Sequence, residues 1–367
     1  MLVGVLAGAD DADAIADFAD DHEEWFQARG GLRHGVPSHD TILRVLALMD
    51  PQAFGKAFST WVEELWGQNA GKHIAIDGKR LRRSFDHARG LKAVHSVAAF
   101  ASEHGIVLGQ VSVDDKENEI LAIPKLLELI DVRGATVTID AMGCQRKIAE
   151  AITEAGGHYV LQVKDNQPTL RKNLYQFFMD ARATERKLDD PAPELSSFSE
   201  MDKGHGRIES RSCWLSHDLS WVEGREGWPK LSAVAMVERT RTDVRSNMAS
   251  EESAYFILSD AKVGAKRLHE IIRGHWGIEN SLHWVLDVTF EEDLSRIRLK
   301  NAAENMATIR RAILNLLRTA PKPPKKRKKP PIRIASLFVG FHRGVIRGLG
   351  ERRIPYKLST FRCFFKL

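Results

Sequence analysis

Only three cysteines occur in 367 residues, Cys144, Cys213 and Cys363, far apart and without paired spacing. That argues against a disulfide framework and a cysteine zinc site, and fits a reducing cytoplasm. No run approaches the roughly 18 apolar residues of a membrane helix. The opening MLVGVLAGADDADAIADFADDHEE has no basic stretch and turns acidic at once, so it does not read as a secretory signal. No internal repeat is apparent. Acids nearly vanish from one segment: between Pro321 and Leu367, fourteen Lys/Arg face the single Glu351. The net charge of +5 therefore divides into a tail of about +13 and a body of about −8. Only the tail offers a continuous electrostatic footprint for nucleic acid.

What is present suits a folded enzyme. The hydrophobic share of 43% and charged share of 28% are ordinary for a globular protein. The length predicts one large domain with smaller additions. Pro37-Ser38 ahead of Ile42, Leu43, Val45, Leu46, Leu48 and Met49 predicts a capped helix, ended by Asp50-Pro51 and followed by the stripe Phe54, Phe58, Trp61, Leu65. From Lys72 the pattern turns to strands: His73 to Ile76, Val94 to Phe100, and Ile106 to Val113. A helix at Ile123 to Ile130, a strand at Ala135 to Ile139, a helix at Gln145 to Ala155 and a strand at Tyr159 to Val163 follow. The expected class is α/β, a mixed sheet flanked by helices. Residues 1–70 form an N-terminal helical domain and 71–318 the main domain, with 169–265 as a β-rich insertion. Residues 319–367 read as a basic, irregular tail behind the linker PKPPKKRKKPP.

Two acids stand out. Asp77 and Asp140 each close a short apolar strand, at the sheet edge where open α/β folds place ligands. One such carboxylate is ordinarily a turn former; two in one unit suggest hard oxygen ligands for Mg²⁺ or Mn²⁺. Glu279 is the third candidate, on a helix whose core stripe is Ile271, Ile278, Leu282 and Val285. His275, Glu279 and His283 run along the edge of that stripe at intervals of four. The ladder lacks the His-Glu-x-x-His spacing of zinc metalloproteases. Trp276 and Trp284 are expected in the core.

The strings HIAIDGKRLRRSFD, VSVDDKENEILAIPKLLELI, ATVTIDAMGCQRKIAEAI, KGHGRIESR, IIRGHWGIENSLHWVLDVTFEED and SRIRLKNAAENMATIRRAILNLLR resemble the H-repeat-associated, Rhs-linked insertion-sequence transposases. The resemblance runs in ordered blocks from about Leu2 to Arg318. It implies an RNase H-like core in which Asp77, Asp140 and Glu279 form a DDE triad holding two Mg²⁺ ions, with Mn²⁺ able to substitute. It implies metal-dependent cleavage and strand transfer at insertion-sequence ends. The partners would be double-stranded DNA with terminal inverted repeats and further copies of the chain, with no membrane. Broader relatives place Tyr, Arg and Lys around the glutamate as phosphate contacts. Here those positions hold Ile272, His275 and Leu286, with Arg273 and His283 as possible substitutes.

Beside a metal site that receives a polyanion, Lys79, Arg80, Arg82 and Arg83 are candidate phosphate contacts. His205 and Arg207 in KGHGR, Lys164 after the last core strand, and Arg273, His275 and His283 complete the expected DNA-binding set. Two alternatives stand beside the transposase: a catalytically silent DNA-binding remnant, and a non-specific metal-dependent nuclease on the same core.

Overall fold

A computed structural model of the chain describes residues 1–69, 71–85, 90, 92–113, 119–184, 195–204 and 206–320. In chain order these form α1 (Leu2–Leu6), α2 (Ala12–Asp21), α3 (Glu23–Gln27), α4 (His39–Leu48) and α5 (Pro51–Trp66). Strands β1 (His73–Arg80), β2 (His95–Ala101) and β3 (Ile106–Val113) lead to α6 (Glu119–Leu129), β4 (Thr136–Ile139), α7 (Arg146–Glu154), β5 (His158–Val163) and α8 (Pro168–Thr184). Then come β6 (Ser196–Gly204), β7 (Arg207–Ser216), β8 (Ala233–Asp243) and β9 (Ala249–Leu258). Helix α9 (Ala265–Ile278), a π-helical turn at Glu279–His283, α10 (Trp284–Val288) and α11 (Ala302–Thr319) complete the described chain. The expected caps form: Ser38 Oγ accepts from the Thr41 N–H, and Asp50 Oδ1 from those of Gln52 and Ala53.

The strands make one mixed sheet in the order β3-β2-β1-β4-β5-β9-β8-β7-β6. The first five reproduce the RNase H arrangement, with β4 parallel to both β1 and β5 and the β2–β3 hairpin antiparallel. Strand β9 then pairs antiparallel with β5, so the expected insertion extends the core sheet by four strands. The expectation that residues from 169 onward begin a β-rich segment is corrected by α8. Leu170, Leu174, Phe178 and Ala181 recur close to every fourth residue and are all buried. That helical stripe, with each large side chain worth roughly 1.5–3 kcal/mol on burial, fixes seventeen residues as helix before the first added strand. Trp276 and Trp284 are also corrected, since both are 59% exposed.

Two compact units gather the chain differently from its order in sequence. One comprises Met1–Gln68, Gly78–Ile130 and the residues from Glu279 on; the other comprises Asn69–Asp77 and Asp131–Ile278. In the first, α11 packs against α1, α4, α5 and β3. Its polar side chains complete backbones that would otherwise be stranded. The Asn315 side chain accepts from the Val107 N–H at 2.9 Å and donates to its carbonyl at 2.8 Å, which closes the edge strand β3. Asn305 donates to the carbonyls of Leu46 and Met49. In the second unit, α9 buries Leu268 and Ile271 in a cluster with Cys213, Leu215, Ala235, Val237 and Phe256 of the added strands.

The first unit also buries charge. Arg311 Nη1 lies 2.9 Å from Glu292 Oε1, and both side chains are 0% exposed. Removing one partner of such a pair strands the other ion and costs roughly 3–5 kcal/mol, whereas exchanging both for apolar groups is often neutral. Urea unfolding is therefore expected to show Arg311→Met destabilised by about that much, and Glu292→Leu/Arg311→Met destabilised by clearly less. Additive losses in the double variant would contradict this account of the pair.

Candidate active site

β1 and β4 are in register from His73 opposite Thr136 to Ile76 opposite Ile139. The next residue along each chain is an aspartate, Asp77 on β1 and Asp140 just past β4. Neighbouring strands lie about 4.8 Å apart, so the two half-buried carboxylates hold equivalent positions at one edge of the second unit's sheet. Asp140 also starts the turn Ala141–Gly143: its Oδ1 accepts from the N–H groups of Met142 at 3.1 Å and Gly143 at 3.4 Å. A Cβ at Gly143 would strike the Ile139 side chain, so the chain turns this tightly only with glycine.

Helix α9 is tied to this edge within the same unit. Thr138, two residues before Asp140, shares its hydroxyl between His73 Nε2 at 2.7 Å and His275 Nδ1 at 2.8 Å. Thr138 and His73 are 3% and 2% exposed. Burial, with the charges of His275 and Arg267 adding to it, pushes His73 down to about 3. Glu279 follows Ile278, the last residue of α9, one turn beyond His275. There the helix widens into its π-helical turn, a feature that often marks functional positions. In the first unit, Glu279 Oε2 pairs with His283 Nδ1 at 2.8 Å; the glutamate side chain is 65% exposed and the histidine 7%.

Several expected DNA contacts are otherwise engaged. Lys79 is buried, with Nζ 2.5 Å from Asp287 Oδ1 and 3.0 Å from Asp293 Oδ1. Its ammonium is therefore paired within the fold, where a phosphate contact was expected. Burial raises the Asp287 carboxyl above its usual range, although Lys79 pulls it the other way. Next to Lys79, Gly78 leaves no room for a Cβ, which would fall within 2.6 Å of His95 Nε2 where that ring pairs with Glu119. Arg273 holds Glu200 at 2.8 Å and Asp202 at 2.9 Å. His275 turns to Thr138, and His283 is buried against Glu279. Arg80, Arg82, Arg83, Lys164 and Arg207 are exposed as expected, with Arg82 also 3.1 Å from Asp293. His205 lies outside the described residues.

Sequence reasoning passed over Thr138, His73, Asp287, Glu292, Asp293 and Arg311. One signal was available: Arg310 and Arg311 interrupt the apolar face of Ile309, Ala312 and Ile313 in a helix that predicts burial. Charges placed there require buried partners.

An aspartate thus follows the paired stretch of each of two adjacent parallel strands in this mixed sheet. Residues 68–316 match the family described as "Transposase DDE domain", and residues 1–62 match the region described as associated with it. YncI of Escherichia coli O157:H7, which carries a provisional transposase name, is 39% identical over 92% of this chain and 86% of its own. YhhI of E. coli strain K12, named provisionally as an H repeat-associated transposase, is 35% identical over 95% and 91%. Among solved structures, a chain of a piggyBac transposase synaptic complex with hairpin DNA aligns with 80% of this chain. Its TM-score is 0.36 and its identity 12%, and the alignment spans 57% of that chain's length. The chain belongs to the DDE transposase family and is an enzyme of that type. Neither the silent remnant nor the general nuclease is favoured by these matches.

The buried His73 has a consequence for pH. Between about 6.5 and about 3 the unfolded chain takes up a proton that the folded chain refuses. Stability therefore falls as pH drops through that window, at most about 1.4 kcal/mol per unit from this group. Urea unfolding at pH 7 and pH 5 is expected to show the wild type losing roughly 2 kcal/mol more than His73→Gln. Identical pH dependence in the two proteins would count against a neutral, buried His73.

Proposed function

We propose that Asp77, Asp140 and Glu279 hold two Mg²⁺ ions, with Mn²⁺ able to substitute, and that the protein cuts and joins DNA at the ends of an insertion sequence. DDE transposases use divalent metal ions. The single observation that supports the reading is the parallel register of β1 and β4, in which Ile76 lies opposite Ile139 and each is followed in the chain by an aspartate. The donor set fits: three carboxylates are hard oxygen ligands of the kind these cations prefer. When bound, such ions supply Lewis acidity and a nucleophile at neutral pH. The chain's part is to present its oxygens in fixed orientations. Backbone N–H groups of Met142 and Gly143 hold one Asp140 oxygen, and His283 holds one Glu279 oxygen.

The partner in this reading is double-stranded DNA bearing terminal inverted repeats, engaged by more than one copy of the chain in the cytoplasm. Among the described residues no helix is long and apolar enough to cross a membrane. Arg80, Arg82, Arg83, Lys164 and Arg207 are the phosphate contacts, because their side chains are exposed. Of the longer set expected from sequence, Lys79, Arg273, His275 and His283 have partners within the fold, and His205 lies outside the described residues.

A supercoiled plasmid carrying matched terminal repeats, incubated with Mg²⁺, is expected to be nicked at those ends and spared when they are scrambled. Asp77→Asn, Asp140→Asn and Glu279→Gln should each lower nicking about a thousandfold or more while retaining DNA binding. Nicking by the variants at the wild-type rate would refute the assignment. Arg82→Ala/Arg83→Ala should weaken binding similarly on all sequences and reduce the slope of log affinity against log salt by about 2. An unchanged slope would remove these two from the phosphate set.

A further inference from the structure

Each of the three acids has, a short way upstream in its own stretch of chain, one member of a single hydrogen-bonded set. His73 lies four residues before Asp77, Thr138 two before Asp140, and His275 four before Glu279. All three meet inside the second unit at one hydroxyl, 2.7 Å from His73 Nε2 and 2.8 Å from His275 Nδ1. We propose that His73, Thr138 and His275 are positioning residues that join β1, β4 and α9 and so set the spacing at which the carboxylates meet the cations.

The chemistry of the set explains why these residue types are needed. A hydroxyl has one proton and two acceptor sites, so Thr138 can accept from one ring and donate to the other. Burial keeps His73 neutral, and a neutral imidazole can take either role at Nε2. The set therefore closes whichever way the proton points, and it closes without a buried charge. Valine at 138 would keep the shape and β-branching but take the hydroxyl from the buried His73 Nε2 and the half-buried His275 Nδ1, leaving the first an uncompensated buried polar atom. Helix α9 would lose its polar tie to β4, and the turn carrying Glu279 would inherit the slack. Groups that orient ligand-bearing elements commonly change metal affinity by about ten- to a hundredfold when removed.

This inference rests on the proposed metal site, and its test separates the two. Mn²⁺ alone is titrated calorimetrically into the full chain without DNA. Thr138→Val is expected to bind Mn²⁺ at least about tenfold more weakly than wild type, and Thr138→Ser to restore most of the affinity. In end cleavage, Thr138→Val should lower kcat while KM for the DNA ends stays near wild type, because the set touches no DNA. His275→Leu, at a half-buried position, serves as the second variant if Thr138→Val does not fold, with the same weakening expected. Wild-type Mn²⁺ affinity in folded Thr138→Val or His275→Leu would overturn the positioning role. Equal weakening in Thr138→Ser and Thr138→Val would overturn it as well, since packing and not the hydroxyl would then be at work. A wild type that binds no Mn²⁺ would overturn the metal site itself, and with it this inference.

Discussion

The parallel pairing of β1 with β4 is the constraint from which the rest follows. Parallel strands need a crossover of a dozen or more residues, and here the β2–β3 hairpin and α6 supply it between His73–Arg80 and Thr136–Ile139. Register then decides the chemistry. A slip of one residue would turn Asp140 to the other face and set a single carboxylate against Asp77's neighbours. The register is held where it can least afford to move. Ile74, Ala75, Ile76, Val137 and Ile139 are all buried, so both faces of these two strands are covered, as parallel sheets require.

Around that pair the fold stores polar groups in apolar surroundings and satisfies them locally. In the first unit the buried Lys79, Glu292 and Arg311 and the half-buried Asp287 and Asp293 form a chain of charge. In the second, Thr138 joins two imidazoles without any charge at all. The two solutions differ in what they demand. Ion pairs of this kind add little net stability but punish any displaced partner, so they specify where β1 and the segment after α10 must lie. The neutral set is cheaper to bury and tolerates either proton direction. Both sit within a few residues of an acid of the proposed triad, where small displacements would cost most.

How much of this was legible in the sequence depends on whether the signal is local. The strands that lead to Asp77 and Asp140 were readable because short β-branched runs flanked by turns have few other fates, although β1 runs on to Arg80 where an end at Asp77 was expected. The helix at Pro168–Thr184 was also written locally, in Leu170, Leu174 and Phe178, and was hidden only by treating the segment as one β-rich block. Strand β6 was harder: Ser196–Gly204 is polar along most of its length and largely exposed, so it shows no alternation to read. The fate of Lys79 was not readable at all. Its partners lie more than 200 residues away, and a lysine in a run of basic residues looks like a solvated face until Asp287 and Asp293 are brought to it. The widening of the helix at Glu279 likewise leaves no mark in a spacing of four.

The departures around Glu279 acquire a common explanation. The resemblance implies Tyr, Arg and Lys as phosphate contacts at positions 272, 275 and 286. In this chain Ile272 packs against the apolar cluster beneath α9, His275 bonds Thr138, and Leu286 is 0% exposed. All three are engaged by the fold itself, Leu286 fully buried and Ile272 and His275 half-buried. Arg273, the nearest remaining cation on α9, is held by Glu200 and Asp202. A helix so committed to its own packing gains rigidity but gives up reach. Exposed arginines elsewhere then become the natural grip on a polyanion, because a solvated guanidinium keeps its bidentate fork free for phosphate. Arg80 and Arg83, close behind Asp77 in the chain, meet that requirement, as does Arg207 on the strand β7. In the proposed reading, the phosphate contacts and the helix that leads to Glu279 thus come from different parts of the sequence.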